Sequence, residues 1–374
     1  MYLQKLSLTD YRNYSIAEID FHPGVNLLYG GNAQGKTNLL EAVELLSSGK
    51  AFRAARDAEA VRFGAGFARL RGEINCGSRN REIDVTLPRE GKKIIRIDKA
   101  PAAAQSLAGK LPCVLFTPEH LNLIKSGPSE RRKLINSILC QLRPRYSALL
   151  TQYNRILVQK TAILRQAEER GDMLEVLEDY NRRMAEIGAE LIRFRAAFVR
   201  ILAKAAPRLH AEISGGEELS VAYETVSSVE DVFAESEILK NQLYSRLSSL
   251  RAAEIAARAC LSGPHRDDLL ITVDGREARQ YASQGQCRTA AVALKLASRH
   301  IMEKELGVIP LLLLDDILSE LDARRQDYVL NRIDRGQIFI TGCEDEAARR
   351  LRAGRIFEIS AGTVAGRRDF GQRV

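Results

Sequence analysis

Residues 30–37 read Gly30-Gly31-Asn32-Ala33-Gln34-Gly35-Lys36-Thr37, which fits the spacing G-x-x-x-x-G-K-[ST]. Glycines at this spacing let successive backbone N–H groups turn inward around phosphate oxygens. A helix starting at the end of the loop adds the positive end of its dipole. In that chemistry Lys36 neutralises the β- and γ-phosphates and Thr37 ligates Mg²⁺ through its hydroxyl. The ligand this spacing implies is ATP with Mg²⁺. A second constellation is the apolar run Leu311–Leu314 followed by Asp315-Asp316. Such a run is a buried strand, and Asp315 emerges at its carboxyl end, where α/β sheets bind ligands and a carboxylate reaches the metal. Asp316 is then placed to orient or deprotonate an attacking water. Many strands end in two acids, so this pattern gains its meaning from the phosphate loop. A third is Tyr281-Ala282-Ser283-Gln284-Gly285-Gln286, ahead of a long amphipathic helix. Ser and Gly there serve equally well as a helix cap. The alternative is a second anion-binding helix end, meeting the γ-phosphate of a nucleotide held by another copy.

The surrounding elements can position these residues. Val25 to Tyr29 is a short apolar run into Gly30-Gly31, as a buried strand feeding a turn should be. Leu39, Leu40, Val43 and Leu46 then recur at helical spacing. Ile83, Val85 and Leu87 alternate with polar residues, and the turn at Arg89 to Lys92 leads to Ile95 and Ile97, which predicts an antiparallel hairpin. From about Ser129 to Arg258 the periodicity becomes helical, with Leu134, Ile138, Leu142 and Met184, Ile187, Leu191 as examples. A short strand is predicted at Leu219 to Tyr223. Gly171, Pro207 and Gly215-Gly216 are expected to break these helices, so one long coiled coil is excluded. After residue 262 the α/β grammar returns: a hairpin signal at Asp274-Gly275, a helix from Cys287 to Leu306, and strands at Pro310 to Leu314 and Gln337 to Ile340.

Bulk properties bound the rest. The chain has 374 residues and a formal net charge of +8, which makes a polyanionic partner reasonable, although a solvated Arg-rich surface gives the same number. Six scattered cysteines without a CxxC pair argue against a zinc site and a disulfide framework, and fit a reducing cytosol. Val308 to Leu314 is too short to span a bilayer, so no membrane association is expected. Aromatics are 6% of residues with no Trp, which disfavours a base-stacking single-strand platform and favours recognition of the duplex backbone.

The three motifs, in this order and around a helical insertion, resemble the ATPase heads of the ABC superfamily, and within it the RecF family of bacterial DNA-repair proteins. The similarity takes in Tyr11-Arg12-Asn13-Tyr14, the loop with Thr37-Asn38-Leu39-Leu40-Glu41-Ala42, Phe52-Arg53, Phe116-Thr117-Pro118-Glu119, Gly127-Pro128-Ser129-Glu130-Arg131-Arg132, Gly263-Pro264-His265-Arg266-Asp267-Asp268, Ser283-Gln284-Gly285-Gln286 and Ser319-Glu320-Leu321-Asp322. The resemblance implies an α/β fold. An ABC-type P-loop head, a mixed sheet with an antiparallel β subdomain, is built from residues 1–118 and 262–374, and a mainly helical arm is inserted at 119–261. It implies that Ser283, Gly285 and Gln286 are a signature motif acting in trans across a head-to-head, ATP-dependent homodimer. Ser319 and Asp322 belong to a D-loop that couples the two sites, and Arg12 and Asn13 reach the nucleotide. Double-stranded DNA at gaps or junctions is the implied ligand, RecR the implied partner, with RecO and RecA downstream, in the cytoplasm at the nucleoid.

Two departures from the wider ABC pattern matter. Asp316 stands where most ABC ATPases have Glu, so slow hydrolysis suited to a timer is expected. Thr341-Gly342 occupies the place of the switch histidine, and no His follows His300. His265 is a tempting substitute, but a buried or capping role beside Arg266 and Asp267 is the stronger reading. Arg131, Arg132 and Lys133 are candidate DNA contacts, as are the basic strands from Arg89 to Lys99. Arg349, Arg350, Arg352 and Arg355 read as a solvated helix face. A cohesin-like tethering ATPase is the alternative function, disfavoured by the broken helices and the missing cysteine hook; a transporter ATPase subunit is disfavoured by the insertion.

Overall fold

A computed structural model of the chain describes residues 1–371 except 55, 78, 167–175, 226–228, 333–334 and 343–352. The described residues form two compact units, Met1–Asn122 with Lys295–Val374, and Leu123–Leu294.

The first unit begins with β1 (Tyr2–Tyr11), β2 (Tyr14–Asp20), β3 (Val25–Tyr29) and α1 (Lys36–Ser48). β4 (Phe67–Asn75), β5 (Asn80–Pro88), β6 (Ile94–Ile97), β7 (Ala100–Ala102), β8 (Cys113–Phe116) and the short α2 (Pro118–Leu121) follow. An antiparallel sheet has the order β2-β1-β4-β5-β6-β7. Its strands alternate, so that Leu8, Leu70 and Val85 stand in register on one buried face. The hairpin expected from Ile83 to Ile97 is β5–β6.

Chain order then passes through the second unit: α3 (Pro128–Leu142), α4 (Pro144–Gln166), α5 (Val176–Ser214), β9 (Leu219–Glu224), α6 (Ser236–Ser249), α7 (Arg251–Ala257), β10 (Asp268–Val273), β11 (Arg276–Glu277), α8 (Ala278–Tyr281) and the start of α9 (Gln284–Leu306). The chain returns to the first unit with β12 (Leu311–Leu314), α10 (Ala323–Arg332), β13 (Ile338–Gly342), β14 (Ala353–Ser360) and β15 (Thr363–Gly371). The second sheet of that unit runs β15-β14-β3-β13-β12-β8, parallel from β14 to β8 with β15 antiparallel at the edge. β3, β12 and β13 are near-continuous apolar runs because a parallel strand is covered on both faces. α1 packs on both sheets, and Leu39, Leu40, Val43 and Leu46 join Leu6, Leu8, Leu313 and Phe339 in one core. That core holds the phosphate loop at the head of α1 against the end of β12.

In the second unit, β9, β10 and β11 form a small antiparallel sheet. Asp274 and Gly275 both take positive φ, 50° and 74°, as the tight hairpin signal requires. Residues 262–294 pack in this unit, since β10 pairs with β9; compact packing with the head resumes at Lys295 rather than at 262. Pro207 does not break its helix, contrary to the sequence expectation. α5 runs unbroken for 39 residues, about 58 Å at 1.5 Å per residue. The cost of an interior proline is about 3 kcal/mol, and the buried stripe of Leu202, Ala206, His210 and Ile213 on either side of it supplies compensating packing. The helix ends where expected, at Gly215-Gly216, whose amides both bond the Ala211 carbonyl. Gly171 lies outside the described residues.

Candidate functional site

β3 delivers the chain into a loop whose backbone turns left-handed at Gly30 (φ 141°), Ala33 (φ 61°) and Gly35 (φ 120°). A Cβ on Gly30 would stand 2.3 Å from the Ile359 carbonyl oxygen, and one on Gly35 would stand 2.8 Å from the Asn13 amide. Only glycine satisfies both the conformation and the space. The Lys36 ammonium folds back over this loop and donates to the carbonyls of Gly30 at 2.6 Å and Gly31 at 2.8 Å. Asn13 clamps the loop from outside: its Nδ2 donates to Gln34 O at 2.9 Å, and its Oδ1 accepts from Asn38 Nδ2 at 2.9 Å. The buried Tyr14 hydroxyl donates to Gly35 O.

At the carboxyl end of β12, Asp315 is buried and its Oδ1 accepts from Thr37 Oγ1 at 2.8 Å and from Thr341 Oγ1 at 2.9 Å. Burial pushes its carboxyl pKa up, and the two hydroxyls oppose the shift. Asp316 has φ 50°, a left-handed conformation that an Asp tolerates better than most residues. Its N–H donates to Thr341 Oγ1, and its exposed carboxylate accepts from Ser319 Oγ at 3.3 Å. Thr341 therefore bonds both acids from the position where a histidine was noted as missing. Ser319 also donates to the Asp316 carbonyl, and Asp322 caps α10 by accepting from Arg325 N at 3.0 Å.

Arg12 is held more firmly than a ligand-reaching arm. Its Nε and Nη2 donate to Glu41 at 2.7 and 2.8 Å, and its Nη1 donates to the Glu59 carbonyl. Glu41 is wholly buried on α1 and accepts also from Tyr11 OH and Arg53 N. In the sequence Glu41 stands out only as part of a longer motif; its place on the buried face of a helix that begins with the phosphate loop is the available signal. A groove of about 600 Å³ opens here, lined by Arg12, Asn13, Asn38, Arg53, Phe63 and Arg89.

Ser283 and Gln286, in the second unit, close a reciprocal cap on α9. Ser283 N donates to Gln286 Oε1 at 2.9 Å and Gln286 N donates to Ser283 Oγ at 3.2 Å. The Gly285 carbonyl accepts from Thr289. The cap is thus real, and the exposed Ser283 stands at a helix N-terminus fit for an anion.

The basic candidates divide. Arg131 is not available to DNA: it is buried, donates from Nε and Nη2 to Asp268 at 2.6 and 2.8 Å, and spends Nη1 on the carbonyls of Leu123, Ile124 and Ser126. Arg132 is half-buried and donates to the Asp267 carbonyl at 2.6 Å, with burial lowering its pKa. Lys133 is exposed and pairs with Glu130 on its own helix. Arg355 lies on strand β14, not on a helix, and pairs with Asp369; Arg349, Arg350 and Arg352 fall outside the described residues. His265 sits between the Tyr153 hydroxyl and the Cys260 carbonyl, and burial pushes its pKa down to about 4, so it is neutral at pH 7. Asp267 is fully buried and accepts from Tyr223, Thr225 and Arg195. Within the stretch from Gly263 to Asp268, Asp267 is the centre of a buried polar cluster of the second unit, while Arg266 is exposed.

A left-handed glycine loop with its lysine, facing a threonine hydroxyl and a carboxylate 2.8 Å apart, can hold a polyphosphate and a hard divalent cation. Two oxygen ligands are too few for a protein cage, and among the described residues no cluster of three acidic, His or Cys groups exists to form one. A cation here must take further ligands from phosphates and water. Fold and site together define an ABC-type ATPase head, and residues 2–360 match the family model for the RecF/RecN/SMC N terminal domain. Within that class the chain belongs to the RecF family. It is 39% identical to the DNA replication and repair protein RecF of Agathobacter rectalis over 97% of this chain and 99% of that one. With the protein of the same name from Bacillus subtilis it shares 38% over 97% of this chain and all of the relative. The solved structure of the recombination mediator protein RecF-ATPrS in the RecFOR pathway superposes with a TM-score of 0.90 at 34% identity, covering 97% of each chain. No helix among the described residues is long and apolar enough to cross a membrane.

Proposed function

We propose that this chain is an ATP-controlled DNA-binding switch of recombinational repair. The observation that carries the reading is the convergence on Asp315 Oδ1 of Thr37 from the phosphate loop and Thr341 from the neighbouring strand, with Asp316 exposed beside them. In this reading Gly30 to Gly35 and Lys36 bind the phosphates of ATP, as the names of solved relatives support. Thr37 and Asp315 are the residues that would hold Mg²⁺, which would supply charge neutralisation to the phosphates. Lys36 exchanges its loop carbonyls for phosphate oxygens, and Asn13 keeps the loop in shape. Arg12, fixed in place by Glu41, lines the groove beside the loop together with Arg53 and Asn38, and in this reading these side chains border the nucleotide.

Asp316 orients the attacking water and takes its proton at a carboxylate oxygen. Its arm is one methylene shorter than a glutamate's, so turnover is slow and serves as a release step. Ser283, Gly285 and Gln286 complete the site of a second copy, with Ser319 and Asp322 in the interface between heads. The closed homodimer binds duplex DNA at gaps or junctions and, with RecR and RecO, helps load RecA. The exposed Lys133 remains a candidate phosphate contact.

Fluorescence anisotropy on a labelled gapped duplex tests this, comparing wild type with Lys36→Met, with and without ATP. ATP should tighten binding only in the wild type. Binding indifferent to both nucleotide and mutation removes the DNA switch and leaves an ATPase head in search of another substrate.

A further inference from the structure

Gln286 makes one more bond than a helix cap needs. Its Nε2 donates to Glu217 Oε1 at 2.9 Å, while its Oε1 accepts from Ser283 N. Glu217 lies in the turn that leaves α5, and that turn is pinned on several sides. Glu217 N donates to Ser214 Oγ at 3.0 Å, and its carbonyl lies 3.2 Å from Nδ1 of the fully buried His210. The amides of Gly215 and Gly216 bond the Ala211 carbonyl at 2.9 and 3.0 Å. On the far side Glu218 N donates to Asp274 Oδ1, and Asp274 N donates to the Glu218 carbonyl, so the turn is tied to the β10–β11 hairpin as well.

A side-chain amide has a donor end and an acceptor end and can turn over. The carboxylate of Glu217 accepts only, so it selects the orientation that places Nε2 toward itself and Oε1 toward the Ser283 amide. Without it nothing among these contacts prevents the amide from turning its NH₂ toward the Ser283 N–H, which opens the reciprocal cap. We propose that Glu217 is a positioning residue for the signature motif: it orients the Gln286 amide so that Ser283 is presented in a single conformation to the nucleotide of a second copy, and it ties the end of the long helix α5 to that motif. The proposal rests on the trans role given to Ser283 under the proposed function.

The test is sedimentation of the full chain with Mg²⁺ and a slowly hydrolysed ATP analogue, alongside nucleotide binding and thermal melting of each variant. A lost hydrogen bond to a charged group predicts that Glu217→Ala weakens ATP-dependent dimerisation about 10-fold, with nucleotide binding and monomer melting temperature unchanged. Glu217→Gln keeps an acceptor for Gln286 Nε2 without excluding the turned-over pair of amides, so it should restore the dimer in part. Glu217→Ala combined with Gln286→Ala should cost no more than Gln286→Ala alone. A dimerisation loss that merely follows a fall in melting temperature, with no rescue by glutamine, makes Glu217 a structural residue and overturns the proposal. Ser283→Arg separates the two readings. If it abolishes the dimer while Glu217→Ala leaves it intact, this proposal alone falls. If the dimer survives Ser283→Arg, the trans signature falls and takes this proposal with it.

Discussion

At the residue scale, the site shows two carboxylates with opposite handling. Glu41 is buried and accepts four donors, from Tyr11, twice from Arg12, and from the Arg53 amide. Asp316 is exposed and accepts from Ser319 alone among the bonds described above, leaving lone pairs for a water. Asp316→Asn is the informative change, since asparagine also tolerates the left-handed backbone there and should fold normally. Hydrolysis is expected to fall about 100-fold or more, the usual contribution of a general base, with nucleotide affinity unchanged; single-turnover hydrolysis and equilibrium binding measure the two. Wild-type hydrolysis in the variant would remove Asp316 from the chemistry. Glycine, lysine and aspartate were legible in the sequence because their spacing is the chemistry. The grip of Glu41 on Arg12 was not, since a residue at helical spacing does not reveal which distant side chain it meets.

At the element scale, Arg131 is a staple and not a DNA contact. Its guanidinium joins the start of α3 to β10 through Asp268 and satisfies three carbonyls of the loop before α3. Arg131→Met leaves that carboxylate and those carbonyls without their donor, and breaking a buried pair costs about 3–5 kcal/mol. Urea unfolding should register that loss. Lys133→Ala should leave stability alone and lower the salt slope of DNA binding by about one. A stable Arg131→Met chain with weakened DNA binding would reverse this assignment. Two basic residues two positions apart looked alike in the sequence because the direction each faces is set by where α3 docks. Pro207 misled for a related reason: its local cost in α5 is real, and the buried stripe around it outweighs that cost. β14 was hidden because a strand entering a parallel sheet needs only four or five apolar positions, and Arg355 lies among them.

At the scale of the whole chain, the core of the first unit contains an acid and a base that are not paired at hydrogen-bond distance. Glu44 on α1 is half-buried as a residue, but its Oε2 is buried without a hydrogen-bond partner among the described residues, and burial lifts its pKa to about 8. Lys295 on α9 is buried, donates to the Leu115 carbonyl, and has its pKa lowered to about 7. Unfolding lets Glu44 ionise near its ordinary 4.5, so the folded state holds the extra proton and stability falls as pH rises from there toward 8. The Lys295 contribution has the opposite sign, rising with pH from about 7 toward 10.5. Glu44→Gln should therefore gain on the wild type in urea unfolding between pH 5 and pH 7; parallel losses across that range would sink the argument. By itself the sequence determined the phosphate loop, the acidic strand end, the capped helix at Ser283 and the alternating and helical stretches around them, because each depends on residues close together in the chain. Only the tertiary structure decided that Thr341 joins Thr37 on Asp315, that Arg131 is buried while Lys133 is not, and that Glu217 holds Gln286. Those contacts join positions far apart in sequence, and burial and hydrogen-bond geometry exist only once the sheets and helices have packed.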